Sequence, residues 1–293
     1  MENAQPGILA GVPAHARFVH YDLLPGVDPK EALAELRVCD IDHELVVGLG
    51  SSLVWASGGA IEGLGPHPTL VGPGISVPST PNALLIWHRG ADRGDVVLSA
   101  RELEEDLAEF FEVQLVVDAF KHQEGRDLTG YVDGTENPTG DDAGAAALVA
   151  DAGPGLDGSS FVATQKWRHD LAEFFEFDDD ARDHMIGRRA EDDVELEDAP
   201  ASAHVKRTEQ EAFAPPAFVL RRSMPWADED GEGLFFVAFG KSFDAFERQL
   251  RRMMGMDDGV IDALFRFTRP MTGSYFWCPP VDEGHLDLRA LGL

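Results

Sequence analysis

Two apolar periods take turns along this chain, and their order restricts the fold more than any single residue does. Alternating or continuous short apolar runs predict strands at residues 14–23, 43–50, 83–88 and 113–120. Helical spacing falls between them. Asp28 heads a turn before Ala32, Leu33 and Leu36, and Ser99 with Glu102 makes a capping-box pattern ahead of Leu103, Leu107, Phe110 and Phe111. Residues 51–81, rich in Gly, Pro and Ser, are expected to loop. The resulting order is βαββαβ, the ferredoxin-like arrangement, in which two helices cover one face of a four-stranded antiparallel sheet.

The second half reads the same way. A strand is predicted at 160–167, a helix in one or two pieces over 169–189, and central strands at 218–222 and 234–240. A helix then starts at Ser242 with Phe243, Phe246, Leu250 and Met253 or Met254 on one face, followed by a short helix at 260–267 and a last strand at 273–278. The expected fold class is therefore α+β, with two ferredoxin-like βαββαβ domains built on antiparallel sheets. The first spans 1–139, the second 159–293, and residues 140–158 connect them. The heptapeptide DLAEFFE occurs at 106–112 and again at 170–176. Its offset would pair a second helix with a first, so it reads as two similar amphipathic helices rather than a duplication.

At 293 residues the chain has room for two domains of ~150 residues. Its 53 Asp and Glu against 24 Lys and Arg leave a formal charge of -29, which repels nucleic acid phosphates and anionic membranes, so neither is an expected partner. The acidic runs at 178–180, 191–193 and 228–230 read as solvated faces, and the lysine-poor acidic surface would suit a salty cytoplasm. No run of eighteen apolar residues occurs and the start lacks a basic segment followed by an apolar one, so a cytoplasmic location is expected. Cys39 and Cys278, far apart and without a CxxC, point to buried thiols rather than a disulfide scaffold or zinc site.

Walker loops, GxSxG elbows, HExxH and a GxGxxG opening a helix after a strand are all missing. What remains is a glycine-punctuated loop, GYVDGTENP at 130–138, whose two glycines free the backbone to carry Asp133 into a pocket. His204 follows in ASAHVKRTE, and Arg221 in FVLRRSMPW. Singly, these are a turn former, a loop histidine and a strand-edge cation.

Together the segments resemble the dye-decolorizing peroxidase family, and in particular its shorter bacterial, porphyrin-oxidising members. GYVDGTENP fits the family's GxxDG loop, QKWRHDL at 165–171 its strand-to-helix junction, and AHVKRT the segment of its haem-ligating histidine. LRRSMPW at 220–226 fits the distal arginine segment, and DGVIDALFRFTRPMTGSYFWCPP at 258–280 the C-terminal helix and strand. The resemblance implies a haem-dependent peroxidase that reduces hydrogen peroxide while oxidising organic donors such as dyes, phenolics or porphyrinogens in one-electron steps. It implies one haem b per chain in the C-terminal half, with His204 as iron ligand and Asp133 and Arg221 as catalytic residues on the open side.

A single imidazole leaves the opposite iron position free for peroxide, and splitting the O–O bond asks for a base and a cation beside it. Ser223, two residues beyond Arg221, is a candidate hydrogen-bond partner for peroxide or water. Backbone N–H groups at Gly134, Thr135 and Glu136 are candidates to cradle the cofactor. Lys206, Arg207, Arg221 and Arg222 are candidates to meet its propionates. Asp262 is the expected partner of the second His204 nitrogen, with Asp258 and Glu283 as rivals. Trp226, Tyr275 and Trp277 are candidate relays for electrons from bulky donors, and a homo-oligomer is expected. Two other readings are a haem-handling or iron-releasing porphyrin-binding protein without peroxidase turnover, and a binding module without haem.

Overall fold

In the computed structural model, which describes residues 3–293, each half of the chain supplies four of the strands that build its main sheet. Those of the first half are β1 (His15–Leu23), β2 (Leu45–Gly50), β3 (Leu84–Gly90) and β4 (Phe111–Phe120). Those of the second are β5 (Ser160–His169), β6 (Met224–Asp228), β7 (Gly231–Gly240) and β8 (Ser274–Cys278). The first set pairs in the order β2-β3-β1-β4 and the second in the order β6-β7-β5-β8. Both orders are ferredoxin-like, and every pairing is antiparallel.

The two sets also join at their edges. Phe276 and Trp277 of β8 lie opposite Gly50 and Leu49 of β2, and Ala119 of β4 lies opposite Trp226 of β6. The eight strands thus close on themselves, which removes the sheet edges that would otherwise recruit a foreign strand. Phe18, Trp87, Val117, Phe235, Phe239 and Phe276 fill the inside, with Phe18 4.4 Å from Phe235 between ring centroids. Helices cover the outside, so most strands are buried on both faces. That double burial accounts for the continuous apolar runs LVVGLG and LLIW.

Helix α1 (Pro29–Arg37) starts where the Asp28 carboxylate accepts the Lys30 N–H, and it buries Ala32, Leu33 and Leu36. Helix α2 (Arg93–Leu107) is capped by Asp92, which accepts the N–H groups of Gly94 and Asp95. Ser99 is therefore inside the helix rather than at its start, and its hydroxyl meets His88 Nδ1 at 3.3 Å. The connector contains α3 (Gly140–Ala147). In the second half come α4 (Leu171–Glu176), α5 (Asp179–Ile186), the five-residue α6 (His204–Thr208) and α7 (Asp244–Met253), which buries Phe246, Leu250 and Met253.

Three local expectations need correction. Of the strand predicted at 218–222, only Leu220–Arg221 pairs, with Phe239 and Ala238. The second strand of that half is β6, in a hairpin with β7 through the acidic turn at 228–231. Pro225 hid it, because proline argues against a strand unless the position lacks a ladder donor. Residues 51–81 are not all loop, since they hold a helix at Ser51–Ala56 and a small hairpin of Leu70–Gly72 and Ile75–Val77. The first DLAEFFE copy is not a helix: α2 ends at Leu107 and Phe111 opens β4, whereas the second copy forms α4. No helix among the described residues is long and apolar enough to cross a membrane.

Candidate functional site

The glycine loop is held from several sides. Arg126 donates to the carbonyls of Gly130 (2.6 Å) and Ala190 (2.9 Å), and the Tyr131 hydroxyl donates to Asp183 Oδ1 (2.5 Å). Gly130 and Gly134 adopt φ of +92° and +83°, which a side chain would resist. Asn137 then ties the loop to the Arg221 strand. Its Oδ1 accepts the Arg221 N–H at 2.8 Å and its Nδ2 donates to the Arg221 carbonyl at 3.1 Å, the pair of bonds a neighbouring strand would make. The result is that Arg221 Nη1 lies 3.5 Å from Asp133 Oδ1, with both side chains about four-fifths buried.

His204 opens α6. Its Nδ1–H donates to Asp262 Oδ2 at 2.7 Å, and the other Asp262 oxygen accepts the Leu264 N–H at 2.9 Å. Asp262 has no exposed surface. Its position at the N-cap of the turn Ala263–Arg266 fixes the carboxylate, and the carboxylate fixes the imidazole. Nε2 of His204 has no hydrogen bond among the described residues. Of the two rivals to Asp262, Asp258 is taken by Arg207, which donates to both its oxygens at 2.8 Å and holds that carboxyl below its usual range. Glu283 sits in the far turn between Val281–Asp282 and His285–Leu286.

Asp133, His204 and Arg221 line one cavity between the outer face of the second sheet and α7, about 630 Å³ with the open space at its mouth included. Its walls are largely apolar, with Leu234, Phe236, Phe246, Leu250, Met253 and Leu264. A second hollow, about 930 Å³, shares Asp133, His204, Thr208, Arg221 and Gln249 with it and adds Gly134, Thr135, Glu136 and Arg188. Thr135 donates to Asp193 and Glu136 accepts from Arg188 at 2.6 Å, so these side chains brace the rim. The backbone N–H groups of Gly134, Thr135 and Glu136 have no partner among the described residues.

Other candidates lie elsewhere. Ser223 is absent from the cavity lining and buried, and its hydroxyl accepts the Val237 N–H at 3.3 Å where the ladder is interrupted. Lys206 is paired with Glu195 at 2.5 Å, Arg207 with Asp258, and Arg222 donates to the carbonyls of Leu9 and Arg221, which leaves Arg221 as the one cation of the four in the cavity. Trp226, Tyr275 and Trp277 are 1%, 4% and 0% exposed, so none presents a surface to a bulky donor. Asn137, Arg188 and His169, which also lines the cavity, went unnoticed in the sequence. Only Asn137 carried a signal there, as the side chain able to mimic backbone in a glycine-rich turn.

Fold and site define a two-domain α+β protein whose apolar pocket sets a carboxylate-backed imidazole beside a guanidinium–carboxylate pair, an arrangement suited to a redox cofactor. Residues 124–283 match the family model of the Dyp-type peroxidase C-terminal region. The dye-decolorizing peroxidase of Rhodococcus erythropolis is 33% identical over 272 residues, covering 89% of this chain and 79% of that protein. The one from Mycobacterium tuberculosis is 32% identical over 232 residues, covering 74% and 69%. DyPB from Rhodococcus jostii RHA1 superposes with a TM-score of 0.84 at 28% identity, over 94% of this chain and 95% of that one. The chain belongs to the dye-decolorizing peroxidase family.

Proposed function

We propose that this chain is a haem-dependent peroxidase that reduces hydrogen peroxide and oxidises an organic donor, with His204 as the iron ligand and Asp133 and Arg221 as the groups that act on peroxide. The observation that carries this reading is the sharing of one largely apolar cavity by all three side chains. The cavity suits haem on three counts. Apolar walls match a flat macrocycle, the Nε2 of His204 is uncommitted while Nδ1 is fixed by Asp262, and residues 134–136, whose N–H groups are unpaired, line the adjoining hollow, where an anionic edge would lie. A variant of the R. jostii protein is described in complex with haem, which agrees.

When bound, haem supplies the redox centre that accepts two oxidising equivalents from peroxide and returns them singly to the donor. The protein's part is positional and electrostatic. Asp262 keeps the His204 ring in one tautomer and raises its basicity. Asp133 moves a proton between the two peroxide oxygens, and Arg221 offsets charge gathering on the oxygen that departs. Asn137 keeps those two groups in register, and the Leu and Phe walls exclude bulk water.

Loaded with hemin, the native protein is expected to bleach a dye with hydrogen peroxide, and Arg221→Ala to retain haem but lose most peroxide turnover. Equal turnover in both would refute the role given to Arg221. The division of the chain at 140–158, a cytoplasmic location and a homo-oligomeric state belong to the same proposal, and light scattering on the purified protein tests the last. Neither the haem-handling reading nor the haem-free one gains support from the relatives.

A further inference from the structure

We infer that His169, held between Asp127 and Thr268, is the proton port of the cavity, carrying protons between a surface hollow and the peroxide site. The inference rests on the peroxidase reading. Reducing one hydrogen peroxide to two waters consumes two electrons and two protons. Each of two small phenols inside the cavity gives up one electron and one proton together. A donor too bulky to enter gives electrons across the wall, and the two protons must then arrive from solvent by a path of their own.

His169 occupies the right place for that path. It lines the cavity together with Asp133, His204 and Arg221. It also lines a separate surface hollow of about 1,040 Å³, open to solvent, beside Arg168, Asp170, Glu173, Glu232, Arg266 and Arg269. One residue, its side chain 6% exposed, therefore belongs to the lining of both spaces. Among the titratable groups of the cavity, His204 is committed to Asp262, and Asp133 sits at Arg221 on the glycine loop.

Hydrogen-bond counting gives His169 a proton to pass. The Thr268 hydroxyl lies 2.6 Å from His169 Nδ1 and 3.0 Å from the Arg168 carbonyl, and with one proton to give it can take from the ring or give to it. Nε2 lies 3.2 Å from Asp127 Oδ1, and the second Asp127 oxygen already accepts the N–H and hydroxyl of Thr129 at 2.9 and 2.6 Å. Burial alone would push the Asp127 carboxyl up, but the His169 bond and charge, with the two Thr129 bonds, hold it below its usual range. An ionised Asp127 makes Nε2 the donor of that bond. Held between Asp127 and Thr268, the ring can take up a proton at one nitrogen and release one from the other.

The test compares two donors on the hemin-loaded protein: a small phenol and a dye too large for the cavity. With His169→Ala, dye turnover is expected to fall ~10²-fold, the scale of positioned proton transfer, and to recover with added imidazole, and phenol turnover to fall by a smaller factor. Asp127→Asn, which keeps the shape of the site, should move the alkaline limb of the dye pH profile acidward, because a protonated ring loses its counter-charge. Equal loss of both donors without imidazole rescue, or an unmoved profile, would overturn the proton port. A native protein without any peroxide turnover would instead overturn the peroxidase reading beneath it.

Discussion

Replacing Asp262 by Asn keeps the shape of the residue behind His204 and removes its charge, so the cost can be worked from the bonds it makes. Asp262 has two neighbours, His204 Nδ1–H and the Leu264 N–H, and both are donors. An asparagine offers one acceptor oxygen and one NH2, so in either orientation a donor meets a donor in a site with no exposed surface. That mismatch costs about 1–3 kcal/mol. If the amide oxygen stays with Leu264, the imidazole loses its anchor, and haem affinity should drop ~10–100-fold, as when other outer partners of metal ligands are lost. If it turns to His204, the turn at Ala263–Arg266 loses its cap instead, and the loss appears in folding stability. Hemin titration and urea unfolding of the same variant therefore have to report a penalty of about 1–3 kcal/mol between them. A variant native in both assays would refute the account of how His204 is held.

Asn137→Ala removes the two bonds that tie the glycine loop to Arg221, and stopped-flow mixing with peroxide should find the reaction ~10-fold or more slower with haem loading unchanged. Acid should destabilise the fold early. Burial holds His20, His67 and His88 to about 4 against 6.5 for the free side chain, so from pH 6.5 down to 4 the unfolded chain takes up protons that the folded one refuses. Stability is full above pH 6.5, and unfolding midpoints at pH 5 should reflect a loss of ~5 kcal/mol relative to pH 7; a flat profile would contradict those burials. With a net charge of -29, thermal midpoints should rise between dilute and molar sodium chloride as self-repulsion is screened. Equal midpoints would remove the reason for linking this surface to a salty interior.

How much of this was legible in the sequence depended on whether the deciding contact was local. Strand and helix order was legible because double burial writes long apolar runs, as in β2 and β3. The identical DLAEFFE copies mark the boundary of that legibility. The second opens with Asp170, which caps α4, and that helix buries Phe174, while the end of the first is pulled into β4 by pairing with β1. Seven residues could not encode the difference, since the partner strand decided it. Strand β6 was hidden by Pro225, whose missing donor only the hairpin partner could excuse.

Asp133, His204 and Arg221, which share the cavity, were singled out by motif resemblance, and Asp262, which bonds His204, by the expectation that an imidazole holding iron would want an outer carboxylate. Ser223 and the flanking cations were misplaced because proximity in sequence stood in for direction in space. Lys206 leaves α6 toward Glu195, at the second hollow, and Arg207 toward Asp258, and neither lines the cavity. Asn137 and His169 act through partners 84 and 42 residues distant, a link no local pattern carries.

The central claim is that His204 is the residue by which this protein holds iron. Titrating hemin into native protein and His204→Ala, and reading the Soret band with and without hydrogen peroxide, tests it most directly. The native chain should bind and its band should change on adding peroxide, whereas the variant should lose the bound spectrum. A variant that binds haem with the native band and the native response would contradict the account.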